Sequence, residues 1–433
     1  MIGYYLALAG RSLRRNVVLT ILMIVAIAFG VGASMTTLTV LHVLSADPIP
    51  QKSDRLYYVQ LDPKKLRGVD ESPEPNRQMT LLDAQNLLKA KKADRQALMT
   101  GGNAGIDAQR PDLPPFPLDD VRQTTADFFS MFDVPFIAGT GWTAADDDNA
   151  ARVCVLGKAL AEKVYGSTNV IGKTLRVEKD DLRVIGVIDD WRPVPHFYDL
   201  NTDTYGKGDQ LFLPFSTSLQ INVGHSGSTN CWDEHTDAFA VGAPCEWVQF
   251  WVELDSKDKA AAYKDYLIAY SQEQKRAGTY ERDPNVRLPD VMQWLAYNEV
   301  VPDDARLQTW IALGFLLVCL VNTVGLLLTK FLRRSADIGV RRALGASKRA
   351  IFLQLLVEAG VVGLVGGVLG LGLAWLGLWA VRHQPATYAD LAHLDMPMLL
   401  STFALAILAT VLAGLLPAWR GCQVAPAAQL RSH

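Results

Sequence analysis

Charge is missing from four long stretches of this 433-residue chain: residues 17–41, 310–329, 359–381 and 398–419 contain no Asp, Glu, Lys or Arg. At about 1.5 Å per residue, about 20 helical residues cover the roughly 30 Å hydrocarbon core of a bilayer, so each stretch is long enough to cross it. The mean hydropathy of +0.11 is high for a water-soluble protein and reflects these four blocks. The chain also lacks a recognisable nucleophile motif, so it carries no sequence signature of catalysis and is read as non-catalytic. A net charge of −3 gives no electrostatic footprint for nucleic acid, and none is expected as a partner. No long low-complexity linker interrupts the chain.

The first apolar block follows Arg11, Arg14 and Arg15, as the core of a secretory signal would. It is far longer than the roughly 7–15 residues of such a core and is read as a retained anchor. Orientation follows from Lys and Arg near the spans. The elbow from Arg333 to Arg349 carries Arg333, Arg334, Arg341, Arg342, Lys348 and Arg349 against Asp337, and is placed in the cytoplasm. Arg382 stands against Asp390 and Asp395 in the next loop, whereas Arg420 and Arg431 follow the fourth span. Both termini are therefore expected in the cytoplasm, with the region from about 46 to 307 outside.

This gives an α-helical membrane protein with four transmembrane helices and a large α/β extracytoplasmic domain. The segments are an interfacial helix (1–15), span and stalk (16–46), outer domain (47–287), stalk (288–308), second span (309–332), elbow (333–350), third span (351–381), short outer loop (382–396), fourth span (397–419) and tail (420–433). Within the outer domain, Leu56–Leu61 and Trp247–Leu254 read as strands, and Leu81–Lys92 and Lys257–Arg276 as helices. Arg152–Leu156, Thr174–Glu178 and Leu182–Ile188 read as short strands, Lys158–Tyr165 as a helix, and Asn201–Pro244 as loops. Residues 288–307 read as a helical stalk, with Trp294 and Tyr297 on its packing face.

Of five cysteines, Cys231 and Cys245 lie close together in the outer domain. An oxidising compartment favours a disulfide between them, closing a loop of about 15 residues worth roughly 3 kcal/mol. His225 and His235 would complete a zinc-type ligand set, but the spacing fits no common site and no metal is expected. Cys154, in an alternating apolar run, reads as a small core residue. Gly166 to Thr174 looks like a phosphate-binding loop, but five residues separate Gly166 from Gly172 where the motif needs four, and a strand follows. The chain is therefore expected to bind no nucleotide or other cofactor itself.

In the third span Gly363, Gly366, Gly367 and Gly370 form two overlapping small-xxx-small pairs, which admit close helix packing. Glu358, near the cytoplasmic end of that span, needs a partner, and a nearby Arg is the expected one rather than a proton relay. The elbow sets apolar Ile338, Val340, Ala343 and Leu344 beside a cationic side, a pattern equally compatible with a plain positive-inside loop.

The run Asp337-Ile-Gly-Val-Arg-Arg-Ala-Leu-Gly-Ala-Ser347, followed by Ile351-Phe-Leu-Gln-Leu-Leu-Val-Glu-Ala359, closely resembles the permease domain of the MacB and FtsX family of ABC transporters. Gly414-Leu-Leu-Pro-Ala-Trp-Arg420 and Ala425-Pro-Ala-Ala-Gln-Leu-Arg431 resemble that family's C-terminal signature. In the outer domain Asp127–Gly139, Val155–Ala161, Ile171–Leu175 and Val184–Val187 resemble the MacB-like periplasmic core.

The resemblance covers nearly the whole chain and implies a Porter-like α/β unit with an inserted β-rich Sabre-like unit. It implies that Asp337, Ile338, Gly339, Arg341, Arg342, Leu344, Gly345 and Ala346 form the coupling helix that docks on an ATPase. Asp337 stands where the family usually has Glu. Because the chain opens on the interfacial helix, ATP and Mg are expected on a separate ATPase subunit, in two copies. A second permease, identical or paralogous, completes the expected complex in a bacterial inner membrane; a periplasmic adaptor or outer-membrane channel is left open. Implied duties are export of peptides, lipids or amphiphiles, or alternatively FtsX-like control of a periplasmic enzyme without transport.

Overall fold

A computed structural model describes residues 8, 10–13, 16–66, 73–233, 237–385, 388–393 and 396–423. The chain forms two compact units, one from residues 1–45 with 301–433 and the other from residues 46–300.

The first unit contains four helices long and apolar enough to cross a membrane among the described residues. They span Val17–Ser45, Asp303–Arg333, Lys348–Arg382 and Met396–Cys422. On the first, Met23, Ile27, Val31 and Met35 recur every fourth residue and lie in the core with Leu316, Leu327, Val362 and Ala374. Val18, Leu22, Val25 and Phe29 recur at the same helical period but stay exposed. A helix apolar on both its packed and its open face suits hydrocarbon rather than water. Of the interfacial segment, Leu8 and Gly10–Leu13 are described and helical. The rest of it, including Arg14 and Arg15, and the tail beyond Gln423, including Ala425–Arg431, lie outside the described residues, as does Asp395.

Among the described residues the second unit is built on a twelve-stranded mixed sheet. Its strands are β1 (Leu56–Tyr58), β2 (Met79–Thr80), β3 (Arg95–Asp107), β4 (Phe116–Thr124), β5 (Phe136–Gly139) and β6 (Val153–Gly157). They continue as β7 (Thr174–Val177), β8 (Asp180–Ile188), β9 (Leu211–Pro214), β10 (Gly224–Ser226), β11 (Asn230–Cys231) and β12 (Cys245–Glu253). The main order is β1-β12-β3-β4-β9-β6-β8-β5. Pairs β4/β9 and β6/β8 are parallel, and β12/β3 and β3/β4 antiparallel.

Every residue of β12 is buried, which makes it the centre of one core. Helix Leu81–Ala90 brings Leu81, Ala84 and Leu87 to that core and helix Lys257–Arg276 brings Tyr263, Leu267 and Tyr270, successive residues being three or four apart on one helical face. Side-chain caps start both: Thr80 accepts from the Asp83 amide and Ser256 from the Lys259 amide. A second core packs Leu160, Ala161 and Val164 of helix Lys158–Tyr165 against β6 to β8. Cys154 is fully buried there, and burial pushes its thiol up to about 12, leaving it unreactive.

Two sequence expectations are corrected. Residues 288–308 do not form one continuous stalk: helix Val291–Tyr297 ends, Glu299 takes a left-handed φ of 49°, and a new helix begins after Pro302. A proline restrains the residue before it from helical geometry, which separates the two. Trp294 is buried and stacks on Tyr58 at 3.9 Å, so the short helix belongs to the outer unit. The stretch 201–244 holds β9, β10, β11 and helix Phe215–Gln220 rather than loops alone.

Candidate coupling site

The elbow between the second and third spans is set by backbone chemistry. Helix Ser335–Ala343 ends at Leu344, and Gly345 takes φ +99°, a conformation that only glycine adopts without strain. The Gly345 amide donates to the Arg342 carbonyl at 3.1 Å and the Ala346 amide to the Arg341 carbonyl at 3.0 Å. These two bonds satisfy carbonyls that the helix end leaves open, in the Schellman arrangement. Ser347 then starts the third-span helix, its Oγ accepting from the Ala350 amide at 3.1 Å. The run Leu344-Gly-Ala-Ser347 is thus a stop and a start placed back to back.

Ile338 and Gly339 face inward, Ile338 joining the bundle core. Val340 and Leu344, one helical turn apart on a shared face, are 57% and 83% exposed. Arg341 donates to Gln354 Oε1 at 3.0 Å and Arg342 to the Cys422 carbonyl at 3.5 Å, so both tie the elbow to the third and fourth helices. Asp337 is exposed on the first turn. The outward face of the elbow is therefore apolar at its centre, and two of its cations are turned to the bundle.

Directly before this helix, Arg334 reaches into a buried charge cluster. Its Nη1 lies 3.1 Å from Glu358 Oε2, while Lys330 Nζ lies 2.7 Å from Glu358 Oε1. Lys330 and Glu358 are both fully buried. Ser12 hydroxyl donates to Glu358 and accepts from Arg334, and Lys330 reaches Thr20 Oγ1 at 3.4 Å. One carboxylate thus holds two cations and joins the interfacial segment, the first three spans and the start of the elbow. Lys330 went unnoticed in the sequence, although it stands four residues before Arg334, where two side chains of one helix share a face.

The four third-span glycines divide between two neighbours. A Cβ on Gly363 would overlap Thr410 Oγ1, and one on Gly367 would sit 2.8 Å from Ala406 Cβ, both in the fourth span. A Cβ on Gly366 would lie 2.8 Å from Ile27 Cγ2, and one on Gly370 3.2 Å from the Ala28 carbonyl, both in the first. Each small-xxx-small pair therefore serves its own helix contact.

In the outer unit Cys231 and Cys245 stand directly opposite each other in the β11/β12 register and are disulfide-bonded. His225 instead meets Thr100 Oγ1 through Nδ1 at 3.0 Å and packs edge-on against Trp247. His235 lies outside the described residues. Among the described residues no group of three His, Cys, Asp or Glu is arranged to hold a metal ion. At the phosphate-loop look-alike, Gly166 caps helix Lys158–Tyr165 and β7 begins at Thr174, so the helix such a loop requires after it is replaced by a strand.

Comparison with known proteins assigns the family. Residues 20–270 match the MacB-like periplasmic core domain, and residues 310–426 the FtsX-like permease C-terminal domain. The chain belongs to the MacB/FtsX-like ABC transporter permease family. It is 24% identical over 379 residues to the pyoverdine export ATP-binding/permease protein PvdT of Pseudomonas fluorescens, covering 85% of this chain and 50% of that one. It is 27% identical over 304 residues to the macrolide export ATP-binding/permease protein MacB of Marinobacter nauticus, covering 69% of this chain and 41% of that one. The chain thus spans half or less of the length of these relatives. Among solved structures, the periplasmic region of MacB from Actinobacillus actinomycetemcomitans aligns with TM-score 0.38 and 15% identity, over 58% of this chain and 95% of that one. The extracellular domain of the transporter YknZ from Gram-positive bacteria aligns with TM-score 0.35 and 14% identity, over 54% of this chain and all of that domain. MacB/FtsX-like permeases are the transmembrane components of ABC transporters, and the four apolar helices agree with a multi-pass membrane protein of this kind.

Proposed function

We propose that this permease carries ATP-driven motion from a separate cytoplasmic ATPase to its outer domain, working with a second permease and two ATPase copies to export peptides, lipids or other amphiphiles. In this reading both termini and the elbow lie in the cytoplasm of a bacterium, and ATP and Mg bind the ATPase. The observation that carries it is the elbow: an exposed Val340–Leu344 pair on a short helix whose root is fixed to the bundle by Arg334 and Glu358. An apolar pair suits a groove on a partner protein, and the buried charges oblige the spans to follow when the elbow is pushed. Close packing at the glycines passes displacement on instead of absorbing it.

The test is reconstitution with the cognate ATPase in lipid vesicles. Leu344→Asp should abolish substrate-stimulated ATP turnover while membrane insertion and thermal stability stay unchanged, because Leu344 contributes little to the fold. Unchanged coupled turnover would overturn the assignment of the elbow. Activation of a periplasmic enzyme without movement of any substrate would replace export by FtsX-like signalling.

A further inference from the structure

The outer unit contains a polar cavity of about 280 Å³ that the transport reading does not use. Its floor is a buried charge network. Arg122, from β4, lies 2.9 Å from Asp209 Oδ2 through Nε and 2.8 Å from Asp199 Oδ2 through Nη1, with all three side chains buried. Tyr198 hydroxyl donates to Asp209 Oδ2 at 2.8 Å, and Gln249 donates to Asp199 Oδ1 at 2.7 Å. The charge of Arg122 is therefore more than matched inside the floor, where two carboxylates face one guanidinium. Gly208, at φ +88° with the Trp191 carbonyl only 2.7 Å from where a Cβ would stand, lets the 196–209 segment close over it.

The wall above adds to this negative excess. Asp119, Asp120 and Asp203 line it with Lys207, three carboxylates against one ammonium. Partial loss of water at the wall raises the Asp120 carboxyl from its ordinary value, and the charges of Asp209, Asp119 and Asp203 add to this against Lys207. His196 also lines the cavity and is only 5% exposed. Its Nδ1 is 3.2 Å from the Asp203 carbonyl, which can only accept, so Nδ1 carries the proton and Nε2 is left as a bare acceptor. Nε2 is buried without a hydrogen-bond partner, 4.0 Å from Asp209 Oδ2. Burial also pushes the imidazole below its ordinary value and keeps it neutral. Ser226 Oγ, on the same wall, is likewise buried and unpartnered.

We propose that this cavity binds a small primary ammonium, with His196 Nε2 and Ser226 Oγ accepting its protons and Asp120 and Asp203 supplying the counter-charge. A primary ammonium brings three donors and no acceptor, which complements a wall of acceptors. The volume, just below the roughly 300–1,000 Å³ typical of ligand sites, suits a short aliphatic amine better than a drug-sized molecule. A divalent metal fits less well. Asp209, the carboxylate next to Nε2, is already held by Arg122 and the Tyr198 hydroxyl, and no three-ligand group exists among the described residues. The site stands independently of the coupling role of the elbow.

The test is calorimetric titration of the detergent-solubilised full-length chain with 1,4-diaminobutane, and with 1,4-butanediol, Mg²⁺ and Zn²⁺ as comparisons. The diamine should bind saturably with a Kd on the order of 1 mM or tighter, and the diol should not bind. Asp120→Asn changes an exposed side chain and His196→Leu removes the bare acceptor; each should weaken the diamine by about tenfold, the usual loss for a charge-assisted hydrogen bond. The proposal is overturned if the diol matches the diamine, if the diamine gives no saturable heat, or if both variants bind within about twofold of the wild type. Zn²⁺ or Mg²⁺ binding more tightly than the diamine, and lost in His196→Leu, would also overturn it in favour of a metal site.

Discussion

Glu358→Gln preserves the shape of the side chain and removes only its charge, which isolates what the carboxylate does in the bundle. In the native cluster two cations share one anion, with Lys330 and Glu358 fully buried and Arg334 partly open. Substituting Glu358 strands both cations, and removing one partner of a buried ion pair costs about 3–5 kcal/mol. For a unit of this size that corresponds to a fall of roughly 10 °C in Tm. Lys330→Met behaves differently, because it leaves Arg334 and Glu358 as a balanced pair at 3.1 Å. Its loss should be clearly smaller, and the double variant Glu358→Gln/Lys330→Met should recover part of the damage, since the remaining Arg334 can reach water. Thermal unfolding of the three variants in the same detergent, analysed as a double-mutant cycle, measures the coupling. Equal losses for Glu358→Gln and Lys330→Met that simply add in the double variant would refute the shared-carboxylate account.

Gly363→Ala should cost about 1–3 kcal/mol by forcing Thr410 aside, whereas Gly360→Ala, with open space around its Cβ, should be neutral or stabilising by up to about 1 kcal/mol; thermal stability in detergent separates them. In the outer unit, burial lifts Glu246 to about 8, with Asp62 and Asp83 adding to the rise and Asn76 and Lys64 opposing it. A carboxyl raised in the folded state binds its proton more tightly there than in the unfolded chain. Its contribution to stability is therefore full below about pH 4.5 and lost as the pH climbs towards 8. Denaturant melts should lose stability across this window in the native protein and less steeply in Glu246→Gln; identical slopes would count against a protonated Glu246.

The spans were legible because hydrocarbon tolerates no unpaired charge, so their absence of Asp, Glu, Lys and Arg is itself the signal. Helices Lys158–Tyr165 and Lys257–Arg276 were legible because their apolar residues keep one face. β3 was not. Its Gly101-Gly102-Asn103 run breaks the alternation that marks a strand, and the structure gives the reason: a Cβ on Gly101 would stand 2.7 Å from Ser226 Oγ, and one on Gly102 2.7 Å from the Gly224 carbonyl. Small residues there admit β10, at the cost of the pattern. β4 was hidden by Pro117 and by Asp119 and Asp120, whose side chains line the amine-type cavity. The partners of that cavity lie far apart in sequence, Arg122 and Asp209 being 87 residues apart, and no local pattern announces such a pairing.

The elbow divides the two kinds of information in a few residues. Gly345 and Ser347 are constrained by backbone geometry: any other residue at φ +99° is strained, and the third-span helix needs an acceptor for the Ala350 amide. That constraint makes the motif recognisable from sequence. Val340 and Leu344 are under no such constraint, since they are exposed and the helix would form with other side chains in their place. In the coupling role proposed above, their identity answers to the partner that docks on them. Substitutions at Gly345 should therefore damage the fold of the elbow and substitutions at Leu344 its partnership, so the two classes of variant separate stability from coupling within one turn of helix.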